Sequence, residues 1–148
     1  MERIVIASKS WVVVCDGAKA LFLQNAGDSQ ALNLKVMETL TQPDPPSREQ
    51  GTARPGRVYQ SVGEARSSME ETDWHEQAEI GFLMEVAEKL GRMARSGEVE
   101  NAVLVAPPKA LGILRQQLSE EAAGVIRGEV AKDFVKMPVP DIEKHLAA

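Results

Sequence analysis

The stretch Asn101-Ala102-Val103-Leu104-Val105-Ala106-Pro107-Pro108-Lys109 decides the fold. It is a short unbroken apolar run, closed by Asn101 at one end and a double proline at the other, with helical patterns on both sides. A run apolar on both faces reads as an interior strand of a sheet covered by helices. Its carboxyl end feeds a helix from about Lys109, and open α/β sheets bind ligands beside such ends. Helix amino termini attract anions, which makes Lys109 a candidate contact residue. Pro107 and Pro108 lack a backbone N–H, so the turn is no glycine-rich phosphate cradle and reads first as a rigid strand-to-helix stop.

Working outward, Phe82, Leu83, Val86, Leu90 and Met93 recur at helical spacing, with Glu79, Glu85, Glu88 and Arg92 off that stripe. Asp73 and Glu76 form a capping-box-like start, and Ser96-Gly97 ends the helix. After the central strand, Leu111, Leu114 and Leu118 mark a helix, and Ser119-Glu120-Glu121 opens a short further one. Val125 to Val135 reads as a fifth strand, and Pro138-Val139-Pro140-Asp141 opens a terminal helix carrying Ile142 and Leu146.

On the amino-terminal side, Trp11 to Cys15 is a β-branched strand, Asp16-Gly17 a turn, and Ala20 to Gln24 the returning strand. Leu32 to Glu38 alternates as a half-buried third strand. Thr41 to about Thr72 shows no period and is rich in Pro and Gly, which predicts a long loop of the kind that is functional or disordered. The expected fold is one α/β domain over residues 1–148. It has a mixed sheet of about five strands, an antiparallel meander of three followed by helix, strand, helices, strand and helix.

The bulk properties exclude several classes. The net charge of −5 argues against global attraction to nucleic acid or anionic membrane, though not against a local basic patch. The single cysteine, Cys15, excludes an internal disulfide and any multi-cysteine zinc site, and its place after three valines reads as a buried, inert thiol. No secretory h-region and no membrane-length apolar stretch is present, so a cytoplasmic protein with no membrane contact is expected. No motif calls for a cofactor.

The loop is locally basic. Between Arg48 and Arg66 it carries Arg48, Arg54, Arg57 and Arg66 against Glu49 and Glu64. Arg54 and Arg57 flank Pro55-Gly56, a turn pair able to project two guanidiniums toward phosphate or carboxylate. The plainer alternative is an ion pair with Glu70, Glu71, Asp73 or Glu76. Trp74 is a candidate for stacking on a base, against the plainer role of covering the sheet beside the loop. His75 beside it lacks a second histidine nearby to make a metal site, and the plainer role is a first-turn polar residue. Asp16, at the end of the first strand, is where a two-metal nuclease needs a carboxylate. Such chemistry needs several converging carboxylates, and an Asp-Gly pair is far more often a turn.

The chain resembles a family of small bacterial proteins described as required for attachment to host cells. The resemblance rests on Trp11 through Asp16-Gly17-Ala18-Lys19-Ala20, Arg54-Pro55-Gly56-Arg57, Met69-Glu70, Leu104-Val105-Ala106-Pro107-Pro108, Leu111-Gly112, Lys132-Asp133 and Glu143-Lys144-His145-Leu146. It departs at Ala53, where relatives have Asp. That family in turn is similar to the middle domain of archaeal and eukaryotic translation release factors, which implies a ribonuclease-H-like sheet. In release factors the corresponding loop carries a Gly-Gly-Gln tripeptide that promotes peptidyl-tRNA hydrolysis. Here the loop reads Arg54-Pro55-Gly56-Arg57-Val58-Tyr59-Gln60-Ser61, with no Gly-Gly-Gln anywhere. Gln60 is a remnant at best, because Val58-Tyr59 lacks the backbone freedom of paired glycines.

The expected function is a non-catalytic binding or adaptor protein that affects host attachment indirectly. Its contact surface is the Thr41–Thr72 loop, with Arg54, Gly56, Arg57, Gln60, Trp74, His75 and Lys109 as binding residues and no metal. The partner is a protein, or the ribosome or RNA. The alternative is a ribosome- or tRNA-associated release-factor-like factor or hydrolase lacking the tripeptide. A metal nuclease built on Asp16 is the third reading.

Overall fold

A computed structural model describes residues 5–42 and 58–147, with side chains from residue 74 onward in the second segment. Strands β1 (Trp11–Cys15), β2 (Lys19–Asn25) and β3 (Leu34–Thr41) come first, followed by helix α1 (Val58–Arg95) and strand β4 (Ala102–Val105). Helices α2 (Pro108–Gln117) and α3 (Glu120–Val125), strand β5 (Ile126–Val130) and helix α4 (Val139–Ala147) complete the chain. The five strands form one mixed sheet in the order β3-β2-β1-β4-β5. β1–β2 and β2–β3 are antiparallel, whereas β1–β4 and β4–β5 are parallel.

The central strands are apolar throughout because both faces of the sheet are covered. Trp11, Val13 and Cys15 of β1 join Ala102 and Leu104 of β4 in a core closed by Phe82, Leu83, Val86 and Leu90 of α1. Val12, Val14, Val103 and Val105 face the other way, against Ile142 and Leu146 of α4 and Ile6 of the lead-in. Alternate side chains of one strand thus enter opposite cores.

The lead-in is secured by Asn25, a fully buried amide. Its Nδ2 donates to the carbonyls of Ile6, Ala7 and Asp28, while its Oδ1 accepts from the N–H groups of Gly27 and Asn33. Sequence reading gave this residue no role, yet it saturates its donors and acceptor in a buried position.

Four expectations need correction. The helix expected from Asp73 begins at Val58, so positions 58–72 of the expected loop are helical, and residues 43–57 lie outside the described ones. The physical reason is that after Pro55-Gly56 the chain holds no proline until Pro107 and is rich in Glu, Ala, Arg, Ser and Met. Asp73 and Glu76 are then interior helix positions, not a cap. The third strand is not half-buried: Leu34 is covered, but Val36 and Met37 are 46% and 55% exposed. Between Phe22 and Leu23 the pairing slips, Phe22 facing Glu38 and Leu23 facing Val36. Met37 is the extra residue of a bulge, which breaks the period of two.

The fifth strand ends at Val130, not Val135. Phe134 and Val135 are buried all the same, in a turn under α4, where Phe134 packs against the His145 ring. Finally, Glu79 does not lie off the helical stripe. It stands three positions before Phe82 and seven before Val86, which continues the buried stripe toward the amino terminus of α1.

Both edge strands carry the surplus residue of their bulges, Met37 in β3 and Arg127 in β5. An edge bulge disturbs the row of free N–H and C=O groups and deters pairing with other chains. β3 is further tied down by Lys89, whose Nζ lies 2.8 Å from Glu38 Oε2 and above the Phe22 ring. At its start the Leu34 N–H donates to Glu143 of α4 at 2.7 Å.

Candidate functional site

The carboxyl ends of β1 and β4 lie side by side, and the sequence places its chemistry-bearing residues around them. β1 ends in Asp16, whose Oδ1 accepts from the N–H groups of Ala18 and Lys19 at 2.8 Å each. This is an Asx-type turn, the plain role expected of Asp-Gly. Gln42, just after β3, closes onto the same turn. Its N–H donates to Ala18 O at 2.8 Å and its Nε2 to Gly17 O at 2.9 Å.

Glu79 of α1 lies directly over Gly17, leaving no room for a Cβ there. Its Oε1 is 3.5 Å from Nζ of Lys109 in the first turn of α2. Gly17 is therefore needed for close approach, not for backbone freedom, and Glu79 joins the β1–β2 turn to the β4–α2 junction. α2 opens with Pro107 in the cap position and no side-chain cap, as a rigid stop requires. Lys109 is exposed, so its pair with Glu79 is a positioning contact of modest strength. Cys15 beneath this corner is buried, and desolvation together with the Asp16 charge pushes its thiol pKa up to about 12. It is protonated at neutral pH and chemically inert.

From Glu79 back to Val58, α1 runs on for 21 residues, about 32 Å of helical rise at 1.5 Å per residue. α1 precedes β4, so this half leads away past the carboxyl ends where Glu79 sits. Residues 74–77 are exposed all round. Trp74 is 60% exposed, which removes the expected role of sheet cover. Trp74 is five positions and so about 140° from Glu79, pointing outward, while His75, one turn before Glu79, shares its face.

Lys109 and Glu79 are thus brought to the β1–β2 turn, with His75 and Trp74 on the following turns of α1. Arg54, Gly56 and Arg57 lie outside the described residues. Gln60 falls in the first turn of α1 by its backbone. The grouping of the two arginines with Lys109 therefore stands as a proposal. Among the described residues no three His, Cys, Asp or Glu side chains gather to hold a metal ion. Asp133 is exposed in the turn after β5.

Residues 9–146 match the family model described as bacterial archaeo-eukaryotic release factor family 12. The chain belongs to that family. A search of the curated proteins gave no match. As a member of release factor family 12, the protein is release-factor-like over residues 9–146, and its sequence contains no Gly-Gly-Gln. Glu79 is the site residue that sequence reading missed. Its signal is present in the sequence, since residue 79 prolongs the 82–86–90 stripe, but a carboxylate does not register in an apolar period. Among the described residues no helix is long and apolar enough to cross a membrane.

Proposed function

We propose that this protein is a ribosome- or tRNA-associated binding factor that keeps a release-factor-like domain without the tripeptide for peptidyl-tRNA hydrolysis. Its contact is made by the basic stretch from Arg48 to Arg66 and by the projecting start of α1. Arg54, Gly56, Arg57, Gln60, Trp74, His75 and Lys109 are the binding residues. The carrying observation is that α1 starts directly after Arg54-Pro55-Gly56-Arg57 and extends past the carboxyl ends of β1 and β4. A helix amino terminus adds its own positive field to that of neighbouring arginines. Trp74, exposed on the outward side, is suited to stacking on an unpaired base.

Two further features support this reading. The β3-β2-β1-β4-β5 order, three antiparallel strands followed by two parallel ones, is consistent with a ribonuclease-H-like domain of the release-factor kind. The net charge of −5 restricts nucleic-acid contact to a local basic patch, which the Arg48–Arg66 stretch supplies. In this reading the protein works in the cytoplasm without a cofactor, and any effect on attachment to host cells follows indirectly from its translational contact.

Co-sedimentation with ribosomes tests the proposal. Binding is expected to weaken steeply between 50 and about 200 mM salt, in the manner of phosphate contacts, and to vanish in an Arg54→Ala/Arg57→Ala variant. Salt-independent binding that survives both substitutions, or no binding at low salt, overturns it.

A further inference from the structure

The outer face of α1 carries features that ribosome or tRNA binding does not use. An open cleft of about 490 Å³ runs along it, with Gly81, Met84, Glu88, Gly91 and Arg95 on one side and Gln117 and Ser119 on the other. Met84 is 48% exposed at its wall. Gly91 is buried at the floor of the cleft, where a Cβ would stand 3.0 Å from Ser119 Oγ of the same chain. Along this face the charges are segregated, Glu85 and Glu88 first, then Arg92 and Arg95.

We propose that two copies of this chain pair through this face, with their α1 helices antiparallel. Positions 85 and 95, and likewise 88 and 92, are symmetric about position 90. A two-fold axis there sets Glu85 and Glu88 of one copy against Arg95 and Arg92 of the other. Met84 of each copy then reaches the end of the other's cleft, at Gln117 and Ser119. A parallel pairing sets acid against acid and is disfavoured.

Within one chain these charges are held loosely, Glu88–Arg92 at 3.8 Å and Arg95–Glu121 at 3.9 Å, with the side chains half-exposed or more. Such surface pairs contribute little and are free to re-pair across an interface. The helix dipole accounts for arginines in the last turn, but not for an exposed methionine beside a cleft. Glu85 and Glu88 would repel phosphates, so this face suits a second copy better than RNA.

Sedimentation equilibrium of the whole protein across a concentration series tests the pairing. The wild type is expected to move from monomer to dimer mass as concentration rises. Glu85→Arg/Glu88→Arg alone and Arg92→Glu/Arg95→Glu alone are each expected to stay monomeric, while their equimolar mixture dimerises. Met84→Glu should weaken association at least about tenfold. Far-UV circular dichroism checks that each variant is folded, as expected for changes at exposed positions. A wild type that remains monomeric to about 1 mM, or a dimer indifferent to the charge reversals and to Met84→Glu, overturns the pairing. Neither outcome touches ribosome binding, which is read separately.

Discussion

The turns of α1 at 74–77 and at 82–93 are continuous in backbone and unlike in what sustains them. From Phe82 to Met93 the helix presses Phe82, Leu83, Val86, Ala87, Leu90 and Met93 into the core against β1, β2 and β4. From Trp74 to Gln77 every residue is exposed. The packed turns are stabilised by tertiary burial, the turn at 74–77 by hydrogen bonds and propensity, which alone are marginal in water. Glu79, over Gly17 and beside Lys109, marks the changeover. The comparison teaches that burial against the sheet fixes the direction of α1, and that its exposed turn at 74–77 follows that direction without apolar cover.

Breaking the packed half has the largest effect. Leu90 is fully buried, and Leu90→Ala should cost about 3 kcal/mol through lost burial and a residual cavity. That corresponds to a fall in Tm of roughly 10 °C by calorimetry for a chain of this size. A loss below about 1 kcal/mol would mean that α1 is not seated on the sheet as described. The changeover point comes next. Gly17→Ala places a methyl group where the Glu79 side chain lies. A flexible carboxylate can swing aside, so a loss of about 1–2 kcal/mol is expected, within the range for overpacking. Removing the carboxylate first, as Glu79→Ala, should make Gly17→Ala nearly neutral in a double-mutant cycle. Additive losses would show that the two do not touch.

The same contrast explains what could be read in advance. The central strand, the β1–β2 turn and the packed stripe of α1 were legible because burial imposes its period on sequence, as in Val103-Leu104-Val105 and Phe82–Val86–Leu90. Ser119 was legible as a cap, and its Oγ accepts from the Ala122 N–H at 3.1 Å. The first half of α1 was not, because its sequence shows no apolar stripe, and Gly63 with its polar neighbours reads as loop. β3 misled for the opposite reason. Its alternation is real, but the bulge at Met37 reverses which face each side chain meets. The candidate site was legible in its parts and not in its assembly, since the Glu79–Lys109 contact joins residues thirty positions apart.

The smallest expected effect is the most discriminating. Trp74→Ala removes a large aromatic side chain, and in a packed position that costs 3–5 kcal/mol. Here the ring is mostly in water, so stability should change by no more than about 0.5 kcal/mol. Hydrogen exchange on the same variant should show the amides of residues 74–78 exchanging well before those of 86–93, as local opening requires when few apolar contacts resist it. Ribosome co-sedimentation by this variant should weaken at low salt with its salt dependence unchanged, because a stacking contact is lost and no phosphate contact is. A destabilisation of several kcal/mol would instead show Trp74 packed within the domain, and the outward half of α1 would lose its claim to be the reaching part of the molecule.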